Sequence, residues 1–385
     1  MKRLIELIKE YCPDGVKTVA LIEICDIIKG IQFNKADMHD QGSYPVINGG
    51  IGPSGYIEQY NQDGNKITIS QGGASAGFVN WITTKFWAGA HCYVLIPKDT
   101  VLNRYLYHFV KSKEYKLQEC QYGAGIPALA KSTVEKLYIP LPPLAVQREI
   151  VRILDNFTEL TAELTAELTA RRKQYEYYKS NLLSFEAKTP YKSLSDVADI
   201  FDSLHQTPEY IKSGFSMIRV QDIKGAYIDT ENTLKVSEEV FSKFVKKYRP
   251  QKDDIVVSRV GSYGNFALVP DDDCCLGQNV AIIHPNICKR FLFYILNSLE
   301  VKQWIDKNVK GASQKSFSLA DIRRIPIPVP SLEEQAHIVS ILDRFDALCN
   351  DLTSGLPAEI EARKKQYEYY RDKLLTFKEI GKHVI

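Results

Sequence analysis

The stretch Ile139-Pro-Leu-Pro-Pro-Leu-Ala-Val-Gln147-Arg-Glu-Ile-Val-Arg-Ile-Leu-Asp155 occurs twice in this chain. Its echo, 188 positions on, is Ile327-Pro-Val-Pro-Ser-Leu-Glu-Glu-Gln335-Ala-His-Ile-Val-Ser-Ile-Leu-Asp343. In both, a proline-rich extended run gives way to apolar residues at helical spacing, so a helix is expected to start just beyond the prolines. The same offset of 188 aligns Ile69-Ser70 and Gly73 with Val257-Ser258 and Gly261, Phe78 with Phe266, and Gly123-Ala124 with Gly311-Ala312. Lys173-Gln-Tyr-Glu-Tyr-Tyr178 returns as Lys365-Gln-Tyr-Glu-Tyr-Tyr370 at an offset of 192, and Leu21 to Ile27 matches Leu194 to Ile200 at 173. The chain is therefore a tandem duplication. Four segments follow: 1–143 globular, 144–188 helical, 189–331 globular and 332–385 helical, the second helix longer by four residues. Frame and helices are alike, while the loops of the globular segments differ.

The helical segments carry a seam. Ile150, Leu154, Phe157, Leu160, Leu164, Leu168, Tyr175, Tyr178, Leu182 and Phe185 step by three, four or seven, which is a coiled-coil pattern. The matching stripe of the second copy, from Ile338 and Phe345 through Leu352 to Tyr367, Tyr370 and Phe377, is the expected partner. Thr161-Ala-Glu-Leu164 is followed at once by Thr165-Ala-Glu-Leu168. Four residues turn about 400°, so one such unit adds about 6 Å while nearly preserving the face, as an adjustable ruler would. Gly355 and Pro357 occupy the comparable place in the second copy, where a break or kink is expected.

Composition sets the class. With 44% hydrophobic and 25% charged residues over 385 positions, the chain reads as two ordinary globular domains and neither disordered nor fibrous. No apolar run reaches the roughly 20 residues of a membrane span, and Glu6 and Glu10 interrupt any signal-like start, so a cytoplasmic protein is expected. The eight cysteines lack a Cys-x-x-Cys pair and read as reduced thiols; Cys274-Cys275 with His284 and Cys288 has no recognised metal-ligand spacing. A net charge of +2 neither advertises nor forbids nucleic acid.

In these features the chain resembles the specificity subunits of type I restriction-modification systems. The resemblance rests on the Pro-rich exit followed by Leu-x-x-Gln-x-x-Ile-Val (Leu144 to Val151, Leu332 to Val339), the Thr-Ala-Glu-Leu repeat, the Lys-Gln-Tyr-Glu-Tyr-Tyr endings and the duplicated plan. It implies an α+β fold: two target-recognition domains of mixed α/β character, joined by two long antiparallel helices forming a coiled coil, in a pseudo-twofold repeat. It implies that each domain reads one half of a bipartite, asymmetric site on double-stranded DNA. It also implies two modification (methyltransferase) subunits that bind S-adenosylmethionine and methylate adenine, and restriction subunits, translocase and endonuclease, that use ATP and magnesium. No cofactor and no membrane contact is implied for this chain itself, and no catalysis.

The residues are in keeping with that. There is no methyltransferase Asn-Pro-Pro-Tyr or Asp-Pro-Pro-Tyr motif, no Gly-Lys-Thr phosphate loop and no carboxylate pair placed for nuclease metals. Gly50-Ile-Gly-Pro-Ser-Gly55 matches Gly-x-Gly-x-x-Gly, but Pro53 inside it and Tyr56-Ile57-Glu58 after it do not open a helix, so it reads as a turn.

Base edges are read by paired donors and acceptors, while Lys, Arg and hydroxyls on phosphate set register. Candidates in the second globular segment are Arg219, Gln221, Arg259, Tyr263, Asn265, Gln314 and Lys315; in the first they are Asn48, Gln71 and Ser75. They differ in kind at aligned positions, so the two halves are expected to prefer different bases. Ser70 and Ser258 either cap turns or touch DNA. Trp81 and Trp87, beside Phe86, read as core, and His91 and His284 as lone histidines. Leu160, Leu164, Leu168, Tyr175, Tyr178, Tyr367 and Tyr370 read as packing and partner-docking residues of the helices. The basic ends Arg171-Arg172-Lys173 and Arg363-Lys364-Lys365 suit phosphates, solvent or docking alike. A coiled-coil adaptor whose heads bind proteins would explain the rod equally well, but not the amide-rich turns.

Overall fold

The computed structural model describes residues 2–123, 125–186, 188–309, 316–351 and 353–380. The chain forms two compact units, Met1–Ala166 with Ala358–Ile385, and Glu167–Pro357. Each takes in one globular segment and half of each helical segment.

The two units share one topology. In the first, a four-stranded sheet runs Cys25–Lys29, Cys92–Pro97, Lys66–Ser70, Val79–Ile82, every neighbour antiparallel. In the second the order is Ala198–Asp202, Val280–Pro285, Ile255–Ser258, Phe266–Leu268, again antiparallel. Beside each lies a three-stranded sheet with one antiparallel and one parallel neighbour. Tyr44–Ile47 is central in the first unit and Phe215–Ile218 in the second. The central strands are rich in Val and Ile because they are covered on both faces: Ile255, Val256, Val257 and Ser258 are all buried.

The entry and exit of each globular segment are tied together. Thr18–Ala20 pairs antiparallel with Tyr138–Pro140, and Tyr191–Ser193 with Pro326–Pro328. The proline-rich runs thus become short edge strands, where a missing N–H does least harm, and the chain leaves them directly into the helices.

Leu144–Leu182 is one helix of 39 residues that includes both Thr-Ala-Glu-Leu units. The second copy is not a longer helix. It is two, Leu332–Asn350 and Leu356–Leu374, of 19 residues each. The extra residues are spent in the turn between them. The Asp351 carboxylate accepts from the N–H and the hydroxyl of both Thr353 and Ser354. A Cβ on Gly355 would stand 2.5 Å from the Ala347 carbonyl oxygen, so only glycine fits there. Pro357 falls in the first turn of the new helix, where its lost N–H has no intrahelical partner anyway. The expected break is therefore present; Leu352 lies outside the described residues.

The helices pair antiparallel. In the second unit Arg172 donates to the Cys349 carbonyl while Tyr175 and Tyr178 both stack on Phe345, so positions rise along one helix as they fall along the other. In the first unit Phe157 stacks on Tyr370 at 5.3 Å. By the offsets of the duplication these are the same pair with the copies exchanged: Phe157 corresponds to Phe345, and Tyr370 to Tyr178. Each unit is closed by the helical end of the other copy. Leu374 and Leu375 belong to the core that holds Ile150 and Leu154. Burying each such leucine stabilises the unit by roughly 2 kcal/mol.

Candidate nucleic-acid interface

At one end of each unit, three strand ends converge. In the first unit Ile47, Ser70 and Cys92 are the terminal residues of their strands, which brings Asn48, Gln71 and His91 together. The Asn48 Oδ1 accepts from the His91 N–H at 2.8 Å, and the His91 ring nitrogen Nδ1 lies 3.3 Å from the Gln71 amide oxygen. Backbone bonds fix the corner: Gln71 N–H to His91 carbonyl, Leu129 N–H to Gln71 carbonyl, and Gly89 N–H to Ile47 carbonyl, all 2.8 Å. The approach is too close for a side chain at Gly49, whose Cβ would sit 2.2 Å from the Gly72 carbonyl oxygen.

The second unit repeats those three backbone bonds. They run from Arg259 N–H to Asn279 carbonyl, Phe317 N–H to Arg259 carbonyl, and Gly277 N–H to Ile218 carbonyl. Arg219, Arg259 and Asn279 therefore occupy the places of Asn48, Gln71 and His91. The corner opens on a cleft of about 360 Å³ lined by Gln206, Thr207, Tyr210, Arg219, Gln221, Ser262, Gln278 and Asn279 among others. Arg219 is clamped by Asp222: Nε and Nη2 donate to its two carboxylate oxygens at 3.0 and 3.1 Å, and the Arg219 N–H adds a third bond at 2.9 Å. Arg259 points inward instead, Nη1 to Asp202 at 2.5 Å and Nε to the Phe317 carbonyl at 3.2 Å.

A family model described as the type I restriction modification DNA specificity domain matches twice, over residues 13–171 and 189–362. The chain belongs to that family. Its relatives include a type I restriction enzyme specificity subunit of Haemophilus influenzae, 31% identical over 374 residues, covering 93% of this chain and 94% of the relative. The specificity subunit of the Escherichia coli type I enzymes EcoR124I and EcoR124II is 31% identical, covering 94% of this chain and 95% of its own length. The crystal structure of a type I S subunit from M. genitalium has the same fold at 20% identity, with a TM-score of 0.64 over 94% of this chain and 96% of that one. As a specificity subunit the chain is a recognition protein, not a catalytic one.

Within this specificity subunit, the sequence candidates fall in different places. Asn48, Gln71, Arg219, Gln221 and Arg259 stand at the corners. Ser75 lies nearby in the turn after Gln71, half-buried. Asn265 is exposed in a different place: its Nδ2 donates to the Ser262 carbonyl, and it lines a larger groove of about 1090 Å³ with Tyr175, Lys179, Tyr227 and Arg290. Tyr263 packs against the apolar core of the second unit. Gln314 and Lys315 lie outside the described residues. Ser258 is a turn staple, its hydroxyl donating to the Ser262 carbonyl and accepting from the Asn265 N–H, and Ser70 donates to the Gly50 carbonyl.

The remaining motifs resolve as structure. Gly50 to Gly55 is a turn leading into the strand Tyr56–Ile57. Trp81 packs on the core under the Arg104 guanidinium, and Trp87 donates to the Ile31 carbonyl. His284 bonds to Asp254 in a network with Tyr248. Cys274 and Cys275 are buried in a strand, where burial pushes their thiols up, Cys275 to about 12. Among the described residues no group of three or more His, Cys, Asp or Glu is placed to hold a metal, and no helix is long and apolar enough to cross a membrane.

Along the helices, Tyr175 is buried, Tyr367 and Tyr370 are partly buried against the first core, Tyr178 stacks on Phe345, and Leu160, Leu164 and Leu168 are half-buried. The basic ends are partly engaged: Arg171 pairs with Glu167 and Gln174, and Arg363 with Glu359 and Gln366. Sequence reasoning missed His91, Asn279, Gln278 and Tyr210 as corner residues, and Asp222 and Asp202 as the partners of the two arginines. Only Asp222, three residues from Arg219, leaves a local trace.

Proposed function

We propose that this chain selects the DNA sequence on which a type I restriction-modification complex acts, each unit reading one half of a bipartite, asymmetric site. The observation that carries the reading is the corner: one backbone frame, built twice, holding Asn, Gln and His in one unit and Arg, Arg and Asn in the other. Amides and a guanidinium such as that of Arg219, fixed at strand ends, are the groups that read base edges, and two different sets suit two different half-sites. In this reading two modification subunits bring S-adenosylmethionine and methylate adenine in each half. Restriction subunits bring ATP and magnesium for translocation and cleavage, and the complex works in the cytoplasm. This chain would hold none of those cofactors.

The test is to map the methylated adenines in DNA from cells carrying the system, which yields both half-sites and their spacing. Inserting one more Thr-Ala-Glu-Leu after Leu168 lengthens the helix by about 6 Å and should widen the unread gap by one to two base pairs, at roughly 3.4 Å per pair, with both half-sites unchanged. Methylation without sequence preference would overturn the function; an unchanged gap would overturn the ruler.

A further inference from the structure

We propose that Arg219, clamped by Asp222, reads a guanine in the half-site of the second unit, and that Asp222 is the residue that positions it. The inference rests on the DNA-reading function proposed above. A guanidinium has two edges that can each make a pair of parallel hydrogen bonds. Asp222 takes the Nε/Nη2 edge, which leaves the Nη1/Nη2 edge of this cleft-lining residue to Gln221. With its amide oxygen turned to it, Gln221 accepts there from Nη1 at 3.0 Å and Nη2 at 2.7 Å, and as an exposed side chain it can yield that place to a base. Guanine N7 and O6 offer two acceptors to the same edge, and Arg on guanine is the commonest specific contact in the major groove.

Two features favour a base over a phosphate. The first is charge. Asp222, 12% exposed, already neutralises Arg219, so the pair offers little net attraction to a phosphate and its carboxylate would repel one. The second is rigidity. The same carboxylate holds both the Arg219 side chain and its backbone N–H, so little rotamer freedom remains to be lost on binding. Arg259 lacks such an edge because Asp202 and the Phe317 carbonyl take it inward.

The experiment is selection from a pool of randomised duplexes by the full chain assembled with its modification subunits, followed by affinity measurements on the selected duplexes. The half-site of the second unit is the one that changes when residues 189–331 are exchanged for those of another family member. It should contain a guanine at which Arg219→Ala and Arg219→Lys each lose roughly tenfold to a hundredfold in discrimination, the other half-site being untouched. Replacing that guanine by 7-deazaguanine should cost the wild type much of the same preference and the Arg219→Ala variant little. Asp222→Asn should lower the same discrimination by roughly two- to tenfold. It should also steepen the salt dependence by about one unit, because it leaves a positive charge uncompensated beside the DNA; a role confined to the fold, away from the DNA, would leave the slope unchanged.

A half-site without guanine would overturn the inference, and so would an Arg219→Lys variant that reads like the wild type. A uniform loss of affinity in Arg219→Ala across all sequences, with a flatter salt slope, would make Arg219 a phosphate contact. If the wild-type complex itself showed no preference, the specificity function would fail, not this assignment alone.

Discussion

The corner of the first unit is built on amides and that of the second on ion pairs. Asn48 and Gln71 each meet His91, one at its backbone N–H and the other at its ring, whereas Arg219 and Arg259 each bring a carboxylate of their own, Asp222 and Asp202. The backbone bonds beneath are the same in both. Because main-chain groups hold the frame, the side chains at the corner can differ in chemistry between the two units while the fold stays the same. The comparison also shows the condition on that freedom. An arginine set into such a corner needs a partner carboxylate, so a change of reading chemistry draws in at least one residue elsewhere in the unit.

If the frame is the shared part, its loss should outweigh any change at the corners. Gln147 is fully buried; its amide accepts from Leu102 N–H and donates to the Thr100 and Pro142 carbonyls. Gln335, at the matching position, accepts from Cys288 N–H and donates to the Pro330 carbonyl. At about 1 kcal/mol per bond plus a small cavity, Gln147→Ala should destabilise the first unit by about 3 to 4 kcal/mol and Gln335→Ala the second by about 2 to 3. Urea unfolding can separate them, since Trp81 and Trp87 report on the first unit and Trp304 on the second. A larger loss for Gln335→Ala would break the ranking.

The ionic corner should matter more to folding than the amide one. Arg259→Ala removes the inward partner of Asp202 and a bond to the Phe317 carbonyl, a loss of about 2 kcal/mol from the second unit. Gln71→Ala gives up one long bond to His91 beside solvent, about 0.5 kcal/mol. Equal losses in urea, without DNA, would mean that Arg259 is not committed to the fold.

How much of this was legible beforehand follows the range of the interactions. The repeat of Ile139 to Asp155, the seam and the break at Gly355 are local patterns, and each reappears as an element. The exchange of helical ends is a long-range result: Phe157 and Tyr370 carry the right spacing, but nothing in either segment says which copy closes which unit. The arginines were legible as donors but not as paired donors, because Asp202 lies 57 residues from Arg259. His91 read as solitary because its neighbours come from the ends of two other strands.

The smallest effect comes from a difference one layer below the corners. In the first unit Asp155 pairs with Arg104 and accepts from His108 Nε2 at 2.8 Å, while His108 Nδ1 accepts from the Tyr367 hydroxyl at 2.8 Å. In the second unit Asp343 pairs with Arg290 and accepts from the Tyr294 hydroxyl. Tyr294 thus fills the role of His108 with a group that burial holds well above its ordinary 10.0. Burial pushes His108 below its ordinary 6.5, against the pull of Asp155 and with the help of Arg104 and Arg371. The imidazole is then neutral in the fold, and below about 6.5 the unfolded chain takes up a proton that the folded unit resists, so stability is lost as pH falls through that value. Asp155, held below its ordinary 3.8, adds a loss only in stronger acid. Urea midpoints at pH 7.5 and 5.5 should therefore fall further for the first unit than this site can make them fall for the second. His108→Tyr, which imports the second unit's solution, should remove the difference that comes from this site; if the first unit's midpoint responds to acid as before, His108 is not the titrating group.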